Sequence, residues 1–235
     1  TLNNVKKENE YDWTQQFEQE GIKNTLILHK EIENLKQDVI GITSLFKLSK
    51  KITRSEFKKY AASLLDKNHF IRSFQWIPRI KQNERPAIES QTQKEGLVNF
   101  HFTILSEEST FITAPNKKEY FPIQYIEPFF GNDSLLGFDI SSQPTLLNLV
   151  NQARDSGTIV AANIKDPFNQ DPNRMLAIFF SPLYKGGKTP KATEDRKRLF
   201  MGVAVGAYQL TDMIRQVIEP YLIPGIFLTV IDKNK

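Results

Sequence analysis

Three histidines, His29, His69 and His101, are the only imidazoles in the chain. None stands at metal-ligand spacing from another or in an H-E-x-x-H pattern, so the sequence predicts no catalytic zinc. With no cysteine, there is no thiolate nucleophile, no Cys-ligated metal, no iron–sulfur cluster and no disulfide scaffold. Gly187-Lys188-Thr189 ends like a phosphate-binding loop, but the position five before Gly187 is Pro182, where a phosphate-cradling backbone needs glycine. Residues 185–198 therefore read as an exposed hairpin loop. Asp166, Asn169, Asp171 and Asn173 superficially match a calcium loop. The glycine of its sharp turn and its distal glutamate are missing, and Pro167 and Pro172 point to a turn. There is no G-x-S-x-G and no G-x-G-x-x-G. Nothing among the 27 acidic residues singles out a facing pair for glycoside hydrolysis. The expectation is a chain with no catalytic residues, no metal and no cofactor.

What remains is an aromatic crowd. Phe121, Tyr125, Phe129, Phe130 and Phe138 fall close together beside Glu127 and Asp139. Aromatics with a few carboxylates describe an ordinary core and equally the lining of a small-molecule pocket, so both readings stand. A basic stretch holds Lys50, Lys51, Arg54, Lys58 and Lys59. No aromatic platform is interleaved with it, so it reads as the solvated face of a helix, and no nucleic acid is expected.

The elements that must position these residues follow from periodicity. The 235 residues are 40% hydrophobic and 25% charged, with net charge +4, which excludes a disordered chain or a fibre and suits one large domain or two small ones. The chain opens at Thr1 without a methionine, which suggests processing or a piece of something longer. The longest apolar run, residues 222–230, is broken by Pro224 and Gly225 and falls short of the ~20 residues a membrane helix needs. Leu28, Ile32, Leu35, Val39, Ile42 and Phe46 repeat at alternating spacings of four and three, a heptad seam within a helix over about 13–48. Such a seam serves a helix packed on its own domain or a stalk that pairs two copies. The expectation taken here is a homodimer through these six residues. Thr53 and Glu56 form a capping box that starts a second helix running to about residue 66. Val98, Phe100, Phe102 and Ile104 alternate with polar residues as a half-buried strand does. Further strands are expected at 71–80, 120–126, 158–164, 176–184, 200–208 and 225–232, and a helix at 144–155 closed by Gly157. Helices first and then a mostly antiparallel sheet make the fold class α+β.

Several segments, in order, resemble the CHASE domain, the extracytoplasmic sensor module of bacterial and plant receptors. Phe74-Gln75-Trp76-Ile77-Pro78-Arg79-Ile80 resembles its W-V-P-R-V strand, Arg85 with Ile88-Glu89 its R-x-x-F-E, and Glu119-Tyr120-Phe121-Pro122-Ile123 its E-Y-x-P-V. Gly137-Phe138-Asp139 is similar to the G-x-D step, and Ala153-Arg154-Asp155-Ser156-Gly157 to the A-R-x-[TS]-G helix end. Ser181-Pro182-Leu183-Tyr184 resembles P-V-Y, and Gly202-Val203-Ala204-Val205-Gly206 the small-residue strand that follows. The resemblance implies a long stalk helix with a second helix over 1–70 and a membrane-distal PAS-like ligand-binding domain over 71–210. Residues 211–235 would be a linker helix and the first strand of an incomplete proximal PAS-like domain, in a double-PAS, Cache-like arrangement. It also implies flanking transmembrane helices, a periplasmic or otherwise extracytoplasmic location, and a histidine kinase or diguanylate cyclase output. In family members that bind cytokinin, an acidic residue after the Y-x-P-V strand meets the adenine edge, and Glu127 is the nearest carboxylate here. A ligand-contacting threonine of those receptors aligns at or near Phe180, which offers bulk and no hydroxyl, so a different small molecule is expected. The ligand set taken from both arguments is Phe121, Tyr125, Glu127, Phe138, Asp139, Ala161 and Phe180. The alternatives are a double-Cache chemoreceptor domain, whose Arg/Tyr/Asp set is not found in order, and a partner-binding module without a small ligand.

Overall fold

The computed structural model describes residues 2–49, 52–67, 69–166, 168 and 175–222, with side chains from Trp13 onward. It divides into two compact units, Leu35–Leu210 and a second made of Thr1–Asn34 with Thr211–Lys235. Helix α1 (Leu2–Leu48) covers the heptad region. Helix α2 (Arg54–Leu65) starts at the expected box, where Thr53 N donates to Glu56 Oε2 at 2.8 Å and Glu56 N to Thr53 Oγ1 at 3.3 Å. There follow β1 (Ile71–Pro78), β2 (Ile80–Lys81), α3 (Arg85–Lys94), β3 (Thr103–Leu105), β4 (Phe111–Thr113), β5 (Glu119–Tyr120) and β6 (Tyr125–Glu127). Then come α4 (Pro144–Ser156), β7 (Val160–Lys165), β8 (Met175–Tyr184), α5 (Thr193–Leu199), β9 (Phe200–Gln209) and α6 (Leu210–Ile218). The strand expected at 225–232 lies outside the described residues, as do Lys50, Lys51, Asn169, Asp171 and Asn173.

Five strands form one antiparallel sheet in the order β6-β1-β9-β8-β7, with β9 central, so the expected α+β, PAS-like class holds. Two-stranded pairs β2–β5 and β3–β4 lie outside it. Gly157 closes α4 in the left-handed conformation at φ 73°, as its position after the last apolar residue required. The strand expected across 98–104 is shorter: only Thr103–Leu105 is strand, although Phe100 and Phe102 are buried. The reason is a competing acceptor, because the Phe102 N–H goes to Glu89 Oε1 at 2.8 Å rather than into a ladder.

Period-two alternation gives the sheet two faces. Phe74 and Trp76 of β1, Phe179 and Ser181 of β8, and Ala204, Gly206 and Tyr208 of β9 face α1 and α2. Phe46 stacks on Trp76 with ring centroids 4.2 Å apart, Tyr208 Oη donates to Leu35 O at 3.1 Å, and Thr43 Oγ1 bonds Ser181 Oγ at 2.7 Å. Gly206 lets the helix in: a Cβ there would stand 2.6 Å from Val39 Cγ2. The expected seam is corrected by this packing. Leu35, Val39 and Ile42 are fully buried inside a single chain, and Phe46 is occupied by Trp76, while Ile32 is exposed and Leu28 half-buried. A 3–4 spacing describes any helix laid along an apolar surface, and here that surface is the chain's own sheet.

Candidate ligand-binding site

The opposite face of the sheet carries Ile77, Val203, Val205, Ala207, Leu176, Ile178 and Phe180, all buried. Against it pack Leu146, Leu149, Val150 and Ala153 of α4, together with Leu135, Phe138 and Ile140 from the turns before α4. The layers do not close completely. A chamber of about 50 Å³ remains, walled by Ile77, Ile123, Leu135, Ile140, Leu146, Ile164, Phe168, Leu176, Ile178, Phe180, Val205 and Ala207, with Arg72, Ser73, Gln75, Asn132 and Asp166 as its polar positions. That is room for about three water molecules.

The polar side chains are held in specified orientations. Asn132 is fully buried; its Nδ2 donates to Pro128 O at 2.8 Å, with Arg72 O at 3.5 Å, while its Oδ1 has no partner. Gln75 Nε2 donates to Ser73 Oγ at 2.9 Å. The buried Asp166 carboxylate accepts from Phe168 N at 3.0 Å. Arg72 turns a guanidinium nitrogen toward Gly131 O at 3.5 Å.

Of the seven positions expected to touch a ligand, Phe180 alone lines this chamber. Phe121 and Phe138 belong to the surrounding core, Phe138 edge-on to Phe168 at 5.1 Å. Asp139 is fully buried and structural: its Oδ1 accepts from Phe121 N at 2.8 Å and Ser141 Oγ at 2.6 Å, and its other oxygen pairs with Lys117. Tyr125 lies on the helix-bearing face, where its hydroxyl donates to Ile52 O at 2.9 Å and Arg54 sits 4.9 Å over its ring. Burial raises the Tyr125 pKa and lowers that of Arg54. Glu127, next along β6, accepts from Phe129 N at 3.2 Å. Ala161 is exposed, pairing with Phe179 across β7 and β8. Clustering in sequence does not reveal which way a strand residue faces. Ser73, Gln75, Asn132 and Asp166 were missed as a set because they come from three distant segments. The one local signal was period two along 73-75-77.

The remaining recognisable residues build scaffold. Arg79 Nε donates to Glu119 Oε2 at 2.7 Å. Arg85 Nε reaches Glu89 Oε1 at 2.9 Å, the four-apart pair the spacing suggested, and its guanidinium lies over Tyr120 and Phe102. Burial opposes the charge of Arg85, but its hydrogen bonds to Tyr120 and Glu89 outweigh this and raise its pKa. Tyr184 Oη donates to Arg154 O at 2.6 Å, and burial pushes its pKa up to about 12.

These motif residues coincide with a family match: the CHASE domain family matches residues 50–235, most of the chain. The chain belongs to the CHASE domain family. CHASE domains are extracytoplasmic sensor domains, without catalytic residues of their own. Two relatives from Dictyostelium discoideum are similar. A germination-specific adenylate cyclase is 29% identical over 51% of this chain and 13% of its own length. Hybrid signal transduction histidine kinase A is 24% identical over 69% of this chain and 8% of its own length. The CHASE chain thus spans a small part of either relative. Among the described residues no helix is long and apolar enough to cross a membrane, and no group of three or more His, Asp or Glu is placed to hold a metal ion.

Proposed function

We propose that this CHASE domain is the ligand-sensing part of a transmembrane signalling receptor, with a small molecule held in the chamber between the sheet and α4. The observation that carries this reading is the buried, unpartnered Asn132 Oδ1 on a mostly apolar cavity. A buried acceptor left unpaired costs free energy that a ligand's donor would recover. The output would be a histidine kinase or nucleotide cyclase, as in the two relatives, and the domain would stand outside the cytoplasm between membrane helices. Signal transfer has a physical route. Val205 and Ala207 line the chamber, while Gly206, between them, lies against Val39 of α1. Because β9 leads directly into α6, a ligand that shifts β9 biases both helices, and only its differential affinity for the two arrangements sets the size of the effect.

The test is a thermal melt of the purified domain with and without a small-metabolite extract, alongside a native mass spectrum. Ligand at ~100-fold over its dissociation constant stabilises by about 2.7 kcal/mol, a shift of several degrees. No shift and a clean apo mass would sink the small-molecule reading. That outcome would favour a protein partner seated in the open groove of about 910 Å³ at the far end of the sheet, bordered by Lys47, Lys81, Lys185 and Trp76.

A further inference from the structure

The charged and polar lining of the chamber specifies more than its existence. Asp166 is a buried carboxylate, and among the described residues no ion pair reaches it; its one hydrogen bond comes from the Phe168 N–H. A buried anion without a countercharge is costly, and the cost disappears when a cation arrives. Arg72, the one cationic residue of the lining, directs its guanidinium to Gly131 O instead. The two amides add acceptors of the same kind. Asn132 spends its NH₂ on backbone carbonyls and leaves Oδ1 unpaired, and Gln75 spends its NH₂ on Ser73 and leaves Oε1. Three acceptors, one of them charged, thus line the chamber; apart from them, Arg72 and Ser73, its wall is aliphatic or aromatic.

We infer that the ligand is a short aliphatic primary amine, bound as its ammonium ion. An ammonium carries three N–H donors and no acceptor, which matches three acceptor oxygens. A carboxylate would face Asp166 with like charge, and an alcohol would bring one donor where three are wanted. The small volume limits the hydrocarbon part to a few carbons. A bicyclic base does not fit the chamber in this conformation, in keeping with the bulk Phe180 contributes to its wall. This inference rests on the sensor reading above and names the ligand class of the same site.

Three probes with one four-carbon skeleton separate the possibilities: isobutylamine, isobutanol and isobutyrate. Each is titrated to about 10 mM, because so few heavy atoms cap the attainable affinity. Melting temperature and ligand-observed NMR are read on the unmodified domain and on Asp166→Asn, which keeps the acceptor for Phe168 N. The expected result is binding of isobutylamine alone or at least ten-fold tighter than isobutanol, no binding of isobutyrate, and a loss of about ten-fold or more for the amine in Asp166→Asn, a charge-assisted bond being lost. Equal binding of amine and alcohol, preference for the acid, or an amine affinity untouched in a folded Asp166→Asn overturns the amine assignment. If no probe binds while a metabolite extract still raises the melting temperature, the assignment fails and the sensor reading survives. If the extract is also silent, both fail. Should Asp166→Asn not fold, the ranking of the three probes on the unmodified domain decides alone.

Discussion

At the scale of single residues, Tyr184 shows how a recognisable motif position serves the fold. Its hydroxyl closes the end of β8 onto Arg154 of α4, and burial raises its pKa from the usual ~10 to about 12. A raised folded-state pKa means the stabilisation is complete below pH ~10 and disappears as pH climbs toward 12. Tyr184→Phe should therefore cost about 1 kcal/mol at neutral pH from the lost hydrogen bond. It should also flatten the fall of melting temperature above pH ~10. An unchanged alkaline limb in the variant would assign that fall to other groups. Gly206 makes the complementary point, because a methyl there would meet Val39 and Tyr208. Gly206→Ala should lower stability by about 1–3 kcal/mol, read as an earlier denaturant midpoint with an unchanged slope. The sequence announced both residues, the glycine through its small-residue strand and the tyrosine through the motif end. It did not announce Asn132 or Asp166, whose importance arises only where the turn before α4 and the end of β7 converge on β1.

Among elements, legibility followed the range of the forces involved. The α2 start was readable because a capping box is settled within four residues, and it appears with both of its hydrogen bonds. Thr53→Ala should cost about 1 kcal/mol, while Thr53→Ser should retain most of the stability. Equal melting curves for the parent and the alanine variant would show that α2 is held by packing of Phe57, Ala61 and Leu64 alone. The five sheet strands are foreshadowed by strand-like runs between turn residues, β6 only at the end of the expected 120–126 run. Their order is not, since β9 reaching between β1 and β8 depends on pairings more than a hundred residues apart. The heptad in α1 marks a packing stripe, and at Leu35, Val39 and Ile42 the chain's own sheet covers it. Periodicity states that one face is covered and is silent about what covers it. The small residues of β9 hold the missing information: Ala204 and Gly206 leave the sheet low enough for a helix to lie on it, and Val39 occupies that space.

For the whole molecule, the question is what the first part of α1 does. Within the unit formed by the two end segments, Lys23 sits 5.6 Å over the Tyr221 ring and Asn24 is buried, while Trp13, Phe17, Ile22 and Leu26 are each more than half exposed. Phe17, Gly21, Ile22, Thr25 and Leu26 line one shallow groove on the helix, and a Cβ added at Gly21 would touch nothing. Exposed apolar rows of this kind mark association surfaces. A second copy of the same helix would bury this row, as paired helices do along an apolar stripe. The seam then lies at Phe17, Ile22 and Leu26 rather than at Leu35, Val39 and Ile42. Two sets of substitutions distinguish these sites. Phe17→Asp with Leu26→Asp should leave the melting temperature nearly unchanged and convert a dimer to a monomer in light scattering. Val39→Asp should instead lower the melting temperature steeply, because it places an unpaired carboxylate against Gly206 in the core. A parent chain that is monomeric at every concentration, or a Phe17/Leu26 variant that remains dimeric, would remove this surface from the signalling route. The movement of β9 would then have to leave the domain through α6 alone.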